Sequence, residues 1–474
     1  MVQADRRSVG RWLVVVIVAG LVARVAWAAW IAHAEPLAVR SPDTPGYIWP
    51  ARALIDAGRF SLSPMDSTPM FVRTPGYPAF LAPILWVTDS EWAISPIQAT
   101  SSALAVAAIV LVGWRLIGLT AGLVAGVLLV LDPLQFMASG TILTEGVASI
   151  TIAAIAVVGV VVFAVRRPQD VPMRAVFGLG ALVAVATMVR PTMWFYPVVL
   201  LVLLAIRFRG LRRRALLARL ALFLLPVLLV VGGWQLRNHS AVGSWQLSGA
   251  TGLLTYCSNA AQIEAREAGT TVEAARRQLG CPPSGEDPDG ICASTVGWTC
   301  RVPDPDADSQ GFDEWNRRGL EIMTDHPVQT ARIVVEGVVR QIAGPGTDTV
   351  RQYFDAGASV PLALGLFTWN AMLWAFAGVG AVAGLRSMYR AYWAFVVATI
   401  GYVIVISAGD AAGARYRVPV IPMLALLAAL GMQYSVRKLR RRRWHPVSPQ
   451  EPDLVASTRS DDSTPTLSNL SFQQ

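Results

Sequence analysis

The chain has 474 residues, of which 54% are hydrophobic and 15% are charged, and its formal net charge is +9. Soluble domains carry about 25% charged residues, so this composition argues against a soluble globule. The positive charge does not indicate a nucleic-acid partner. Most arginines stand in short clusters between apolar blocks, which is the pattern of cytoplasmic membrane anchors.

The apolar blocks are about twenty residues long, enough to cross about 30 Å of hydrocarbon. The first block follows three arginines and is longer than the apolar region of a signal peptide, about 7–15 residues. We therefore predict a retained helix, although Ala32-His33-Ala34 resembles a signal-peptidase site. Ten membrane helices are predicted near 12–32, 92–117, 118–140, 142–165, 174–190, 191–207, 215–235, 360–384, 391–409 and 416–435.

The arginine clusters predict the orientation of these helices in the plasma membrane. Ten crossings place all of the clusters on the cytoplasmic side, together with both termini. The clusters are Arg6/Arg7/Arg11, Arg115, Arg166/Arg167, Arg207 to Arg214, Arg386/Arg390 and Arg437 to Arg443. The apolar stretch from Gly76 to Val87 holds about twelve residues, too few to cross. It is predicted to be an interfacial helix on the outer leaflet.

Four regions follow from this topology. Residues 1–235 form an N-terminal transmembrane module with a first outer loop at 33–90, and 236–359 form a small extracytoplasmic domain. Residues 360–436 hold the C-terminal transmembrane helices, and 437–474 form a basic and then disordered cytoplasmic tail. The predicted fold class is an all-α polytopic membrane protein.

All cysteines of the chain lie in the second outer segment: Cys257, Cys281, Cys292 and Cys300. An even number of cysteines in an oxidising compartment predicts two disulfides, whose pairing the sequence does not select. A zinc site is disfavoured because no CxxC pair occurs and the spacing is irregular. Free thiols are the remaining alternative.

Ionisable and Pro/Gly-containing motifs recur at the outer ends of the predicted helices. They are Asp43-Thr-Pro-Gly-Tyr47, Arg73-Thr-Pro-Gly-Tyr-Pro78, Leu143-Thr-Glu145, Arg190-Pro191, Arg237-Asn238-His239 and Arg415-Tyr-Arg417-Val-Pro419. Each arginine alone could be an interfacial anchor that reaches towards water. Carboxylates and several arginines on one face together favour a site for an anionic substrate. Arg24, inside the first helix, is either functional or paired with a carboxylate.

This ordered series of motifs, with Asp132-Pro133 and Pro422, resembles the C-type glycosyltransferases, which use lipid-phosphate sugars. The resemblance is to the branch of the protein mannosyltransferases and the lipid A aminoarabinose transferase. It covers roughly residues 10–250 and 405–435. The family often has a second acid beside the first one, but here Thr44 follows Asp43.

The resemblance implies a role for each matched residue. Asp43 would be the general base on the acceptor, with Glu145 as the nearest second carboxylate. Tyr47, Tyr77 and Asn238 would position substrate. The implied ligands of the donor phosphate are Arg73, Arg190, Arg237, Arg415 and Arg417. Since Arg415 and Arg417 are two residues apart, a regular helix would not place both on one face, and Arg415 is preferred.

The chemistry of such a transfer suits these residue types. A carboxylate can deprotonate or orient an acceptor hydroxyl, and arginine can stabilise the departing phosphate. The expected partners are a polyprenyl-phosphate monosaccharide, membrane lipids and a glycan, lipid or protein acceptor. No cofactor is required, although Mg²⁺ or Mn²⁺ would be compatible with acids and phosphate.

Two other functions fit a polytopic chain. A transporter or flippase for an amphipathic anion would predict broken helices, midplane charges and related halves. A non-catalytic assembly protein would leave the Asp43 and Arg73 motifs without a purpose. The placement of the ionisable residues at one face favours an enzyme with an extracytoplasmic active site.

Overall fold

The computed structural model describes residues 6–34, 39–41, 43–281, 305–347, 349 and 360–443, which are mostly helical. Within them the β-structure is limited to one antiparallel bridge between Ser61 and Pro69. The predicted all-α fold is therefore confirmed. Contacts group Met1–Ser435 into one compact unit, and the remainder, Val436–Gln474, is described only as the end of the last helix.

The α-helices follow one another along the whole described chain. In order they are α1 (Arg6–Ala34), α2 (Pro45–Asp56), α3 (Gly76–Thr88), α4 (Ile94–Leu116), α5 (Leu119–Leu131), α6 (Pro133–Gly140), α7 (Thr144–Gly159), α8 (Met173–Val189), α9 (Tyr196–Phe208), α10 (Arg213–Val227), α11 (Gly233–Val242), α12 (Ala250–Leu254), α13 (Ala261–Glu267), α14 (Val272–Gln278), α15 (Pro305–Asp325), α16 (Pro327–Ala343), α17 (Val360–Leu385), α18 (Arg390–Ile406) and α19 (Ile421–Arg443).

Short π- and 3-10 segments extend several of these helices into longer stretches. The π segments are Val160–Ala164, Leu228–Gly232 and Thr255–Ala260, and the 3-10 segments are Glu91–Ala93, Pro168–Asp170, Pro191–Met193 and Ala414–Val420. Arg415 and Arg417 lie in the last of these, so they precede the final α-helix rather than beginning it.

Seven stretches of the described residues are long and apolar enough to cross a membrane, and the bent pair α5/α6 could supply an eighth. The seven are Gly10–Ala34, Glu91–Leu116, Thr144–Ala164, Pro191–Phe208, Arg213–Val242, Val360–Leu385 and Ala414–Arg440. The other two predicted spans correspond to α8 and α18, apolar helices of 17 residues each. All ten predicted segments are thus helical. The protein is a multi-pass membrane protein, and the count of ten crossings stays a prediction.

The predicted span 118–140 is not one straight helix, because α5 and α6 meet at an angle of 58°. The break falls at Asp132-Pro133, where proline has no N–H to continue the helical hydrogen bonds. Asp132 caps α6 by accepting a bond from the Gln135 N–H at 2.9 Å.

Arg24 stabilises the other side of the same break. Its guanidinium is buried and donates to the carbonyls of Leu129 and Val130, at 2.6 and 2.8 Å. These carbonyls lie at the C-terminal end of α5, where backbone acceptors lose their helical partners. Arg24 is thus hydrogen-bonded to backbone oxygens at the end of α5, and a functional role for it stays a prediction.

The last span forms the centre of the bundle. In Ala414–Arg440, 72% of the apolar window is buried, compared with 17% in Gly10–Ala34. Helix α17 approaches it closely, because a Cβ at Gly380 would lie 1.9 Å from the Leu427 carbonyl oxygen. Small residues permit such contact between membrane helices. The 3-10 segment carrying Arg415 is consequently attached to the most buried helix.

The two segments that the sequence predicts to be extracytoplasmic pack on each other. Arg237 donates to the carbonyls of Met70 and Phe60, and the Gly249 N–H donates to the Phe71 carbonyl at 3.1 Å. Cys257 and Cys281 form a disulfide, which confirms one of the two predicted bridges. Cys292 and Cys300 lie outside the described residues. The boundaries assigned to the extracytoplasmic domain stay a prediction.

Candidate functional site

The loop that carries Asp43 is hydrogen-bonded to the backbone just before α7. The Ile142 N–H donates to the Val39 carbonyl at 2.9 Å, and the Thr44 hydroxyl donates to the Ile142 carbonyl at 3.0 Å. Thr44 is fully buried. Thr44 therefore holds the loop in place. This residue follows Asp43, and its bond brings Asp43 towards Glu145 at the start of α7.

Asp43 forms an ion pair with Arg73. Asp43 Oδ1 lies 2.6 Å from Arg73 Nη2, and both side chains are largely buried, with exposed fractions of 22% and 16%. Arg73 Nη1 also donates to the Tyr47 hydroxyl at 3.3 Å, and its guanidinium lies 4.9 Å from the centroid of that ring. The two Thr-Pro-Gly-Tyr motifs thus meet in space. A side chain at Gly46 would crowd Arg73, because its Cβ would lie 3.2 Å from Nε.

Arg415 is the second cation at Asp43. Its Nη2 lies 3.8 Å from Asp43 Oδ2, and 37% of its side chain is exposed. Burial raises the pKa of Asp43, but the charges of Arg73 and Arg415 lower it by more, so the pKa lies below its usual value. Asp43 is therefore ionised at neutral pH. Burial also raises the pKa of Tyr47 to about 12, so this hydroxyl keeps its proton.

Glu145 forms a second, more buried ion pair with Arg190. Glu145 Oε1 lies 3.3 Å from Arg190 Nη1, and both side chains are less than 10% exposed. Glu145 is in the first turn of α7, where the helix dipole favours a negative charge. The Thr144 hydroxyl lies within 3.4 Å of both partners.

Tyr416 lies between the two ion pairs. The guanidinium carbons of Arg190 and Arg415 are each 5.3 Å from the centroid of its ring. Both are within the range of a cation–π interaction. The sequence motif Arg415-Tyr-Arg417 contained this residue, but no separate role was predicted for it. The alternation of arginine with an aromatic residue in this motif was the sequence signal that could have indicated a role for Tyr416.

A pocket of about 280 Å³ opens beside these groups. Its polar lining includes Glu145, Arg415 and Tyr416, and the rest is mainly apolar. The lining residues are Leu134, Ala138, Thr141, Leu143, Glu145, Thr349, Ala411, Gly413, Arg415, Tyr416 and Val418. The break between α5 and α6 contributes Leu134 and Ala138. The pocket thus joins an apolar wall to an acid and a cation.

Four residues assigned to the site by the sequence make other contacts. Arg417 is buried and donates to the carbonyls of Gln341 and Gly344, at 2.6 and 2.7 Å. Arg237 is bonded to the first outer loop, as described above. Asn238 donates to the Gln246 and Leu247 carbonyls, and the Tyr77 hydroxyl donates to Gln98 at 2.8 Å. These four residues support the surrounding backbone and helices.

The predicted compatibility with a divalent cation can be compared with the donor set. Among the described residues, no group of three or more His, Cys, Asp or Glu side chains is arranged to hold a metal ion. Asp43 and Glu145 are each bonded to an arginine. The two carboxylates therefore have cationic side chains as their partners.

No family model and no curated protein matches the chain. Solved structures of integral membrane transferases are similar in fold. The Archaeoglobus fulgidus oligosaccharyltransferase tethered with an acceptor peptide aligns with 91% of this chain and 50% of its own, at 11% identity and a TM-score of 0.50. The oligosaccharyltransferase AglB of the same organism, in complex with an inhibitory peptide and a dolichol-phosphate, aligns over 91% and 51%, at 12% identity and a TM-score of 0.47.

ArnT from Cupriavidus metallidurans, bound to undecaprenyl phosphate, aligns over 93% of this chain and 82% of its own, at 14% identity and a TM-score of 0.37. At these identities the likeness concerns the fold. The chain spans about half the length of the oligosaccharyltransferases. The predicted resemblance to the C-type glycosyltransferases is confirmed at the level of the fold.

Proposed function

We propose that the protein is a glycosyltransferase that moves a monosaccharide from a polyprenyl-phosphate donor to a cell-envelope acceptor. The observation that carries this proposal is the ionised Asp43 next to Arg415, which lines the pocket. One group can receive a proton and the other can bind phosphate, and the two are within a few ångströms of each other. The reaction needs both functions at the same place.

In the proposed reaction, Asp43 orients the acceptor hydroxyl and takes its proton as the oxygen bonds to the sugar C1. The bond from C1 to the phosphate oxygen breaks, and polyprenyl phosphate leaves with the electron pair. Arg415 binds that phosphate and stabilises its growing charge, since a guanidinium can grip phosphate oxygens through parallel hydrogen bonds. The apolar wall of the pocket is compatible with the lipid end of the donor.

Arg73 is assigned to Asp43 rather than to the phosphate. Its ion pair and its bond to Tyr47 hold the carboxylate in place and keep it ionised. Glu145 and Arg190 form the second wall of the site, and Tyr416 keeps Arg190 and Arg415 apart. Arg237 and Arg417 are not proposed as phosphate ligands, because each is held by hydrogen bonds to backbone carbonyls.

The proposed site faces the extracytoplasmic side, with both termini in the cytoplasm. Support for this orientation comes from the arginine clusters, which fall at the opposite ends of the helices from Asp43. A donor whose polyprenyl chain stays in the bilayer would bring its phosphate to this depth. A cell-envelope glycan, lipid or protein would then reach the acceptor position from outside.

A lipid-anion flippase is the second candidate, and the break between α5 and α6 is the observation in its favour. Transporters often bind substrate at broken helices. Here, however, the donors of Arg24 are used by backbone carbonyls and Asp132 caps α6 and accepts from the Trp369 indole. The break therefore has its polar groups satisfied within the protein.

The test uses purified protein in phosphatidylcholine vesicles with radiolabelled polyprenyl-phosphate monosaccharides and an envelope extract as the source of acceptor. We expect the label to move to a new product while an equal amount of polyprenyl phosphate is released. Label that crosses between leaflets on intact donor would support the flippase. Label that neither transfers nor crosses would contradict both candidates.

A further inference from the structure

Helix α16 exposes a stripe of apolar residues on the surface of the protein. Its most exposed residues include Val328, Val335 and Val339, with exposed fractions of 77%, 60% and 54%. At about 100° per residue these valines fall within about 40° of one another, so they form one stripe. The opposite face includes Ile333 and Gln341, which are both buried. A surface helix in water normally exposes the polar face.

The C-terminal end of α16 lies at the depth of two apolar helices. The Asn370 side chain donates to the Ile342 carbonyl at 2.6 Å, and Asn370 is ten residues into α17. At 1.5 Å per residue this is about 15 Å from the start of that span. Gln341 Nε2 donates to the Ile404 carbonyl at 2.9 Å, near the end of α18. These bonds place the helix end within the thickness of the bundle.

We propose that α16 is embedded in the hydrocarbon edge of the bilayer through the stripe of Val328, Val335 and Val339. The exposed apolar surface of α17, including Leu364 and Phe367, would continue the same lipid-facing surface. Arg332 borders the stripe in the first half of the helix, where it is 66% exposed and pairs with Glu336 at 2.9 Å. Its apolar stem can lie along the hydrocarbon while its guanidinium reaches the lipid headgroups. The occupant of the stripe is therefore membrane lipid.

The inner face of α16 holds the segment that leads to Arg415. Arg340 donates to the carbonyls of Gly409, Asp410 and Ala412, at 2.7, 3.0 and 3.0 Å. Arg417 donates back to α16 through the Gln341 carbonyl and to Gly344 just after it. An anchored α16 would consequently fix the height of Arg415 relative to the membrane surface. This second part rests on the proposed function, because it assumes that Arg415 binds the donor phosphate.

The first test requires no substitution. The wild-type protein in phosphatidylcholine vesicles is treated with a small apolar diazirine that partitions into the bilayer, and the labelled residues are mapped by mass spectrometry. We expect label on the Val335 and Val339 side of α16, as on the lipid-facing residues of α17. Label on α17 with none on α16 would overturn the proposal. This result does not depend on whether the protein transfers sugar.

Variants test the link to the donor site. Val339→Glu should reduce diazirine labelling of α16 and raise KM for a polyprenyl-phosphate donor by about 10-fold, while Val339→Leu should change neither. Leu320→Glu is the matched control, since Leu320 is an exposed apolar residue on the charged helix α15. Unchanged labelling in Val339→Glu would contradict embedding. Reduced labelling with an unchanged KM would contradict the positioning of Arg415 only.

Discussion

Two regions of this protein hold a buried arginine near an aspartate, and their hydrogen bonds differ. At the break between α5 and α6, Arg24 donates to backbone carbonyls and Asp132 caps a helix. In the second region, Arg73 and Arg415 face the carboxylate of Asp43, which is partly exposed. Arg24 is fully buried, whereas Arg415 and Asp43 are 37% and 22% exposed and are therefore accessible to a substrate. We therefore propose that the first region is structural and that the second binds a substrate.

The same distinction separates the other arginines of the sequence motifs. Arg237 and Arg417 donate hydrogen bonds to backbone carbonyls, whereas Arg190 pairs with Glu145. Spacing along the chain does not reveal this difference, because Arg415 and Arg417 belong to one motif. The contrast predicts which substitutions should affect catalysis and which should affect folding.

The largest expected effect is at Asp43. Asp43→Asn keeps the size of the side chain and removes the proton acceptor, so transfer should fall by about 10²-fold or more. The measurement is turnover of labelled donor, with protein level and membrane insertion checked in parallel. Asp89→Asn is the matched control, because Asp89 pairs with Arg52 and its side chain is 86% exposed. Wild-type turnover in Asp43→Asn would remove this residue from the mechanism.

Glu145→Gln should give a smaller loss. The substitution leaves Arg190 buried without its anionic partner, which would disturb the wall of the pocket rather than remove the base. We expect kcat to decrease by about 10-fold, with a lower melting temperature. The measurement is kcat and thermal unfolding for this variant beside Asp43→Asn. A loss as large as that of Asp43→Asn with unchanged stability would make Glu145 a catalytic acid or base.

The disulfide between Cys257 and Cys281 is expected to affect stability more than chemistry. It closes a loop of 24 residues within the outer segments, and removing such a bridge commonly costs about 2–5 kcal/mol. Paired Cys257→Ser and Cys281→Ser substitutions should lower the denaturation midpoint while transfer at low temperature is retained. A mass map under non-reducing conditions would check whether a second bridge joins the remaining cysteines, Cys292 and Cys300. Two freely alkylated thiols there would leave one bridge only.

The smallest expected effect is that of mild acid. Since the pKa of Asp43 lies below its ordinary value of 3.8, the carboxylate stays ionised as the pH falls from about 7 to about 5. The contribution of its ion pairs to stability is present above the ordinary pKa and is lost as the pH falls through the lowered one. The pH profile of kcat/KM should show no loss from Asp43 in that window. A limb near pH 6 that moves in Asp43→Glu would contradict this assignment.

The sequence predicted the helices well, because apolar runs of about twenty residues report membrane spans directly. The sequence did not predict the bend within 118–140, although it contains Asp132-Pro133. An apolar run on both sides of a proline is still long enough to be interpreted as one span. The sequence did not predict α16, because residues 236–359 are polar on average. The valine stripe of this helix becomes visible only when residues are compared at helical spacing. The proposal that α16 faces lipid rests on its exposed valines and on its hydrogen bonds with Asn370 and Ile404.

The grouping of the candidate site residues was predicted in part, and their roles stay predictions. Asp43, Arg73 and Arg415 are brought together as the motifs suggested, and Glu145 meets Arg190. The sequence could not separate these residues from Arg237, Asn238 and Arg417, because residue type and position at a helix end are the same in both groups. Only the identity of the hydrogen-bond partner distinguishes them.

The most direct test of this distinction is the affinity of undecaprenyl phosphate for the lysine variants of one motif. Arg415→Lys cannot reproduce a two-bond grip on phosphate, so we expect its dissociation constant to rise by about 10-fold or more. Arg417→Lys should keep the wild-type affinity and lose stability, because Arg417 bonds to the carbonyls of Gln341 and Gly344. Wild-type affinity in Arg415→Lys, or an equal loss in both variants, would contradict the account.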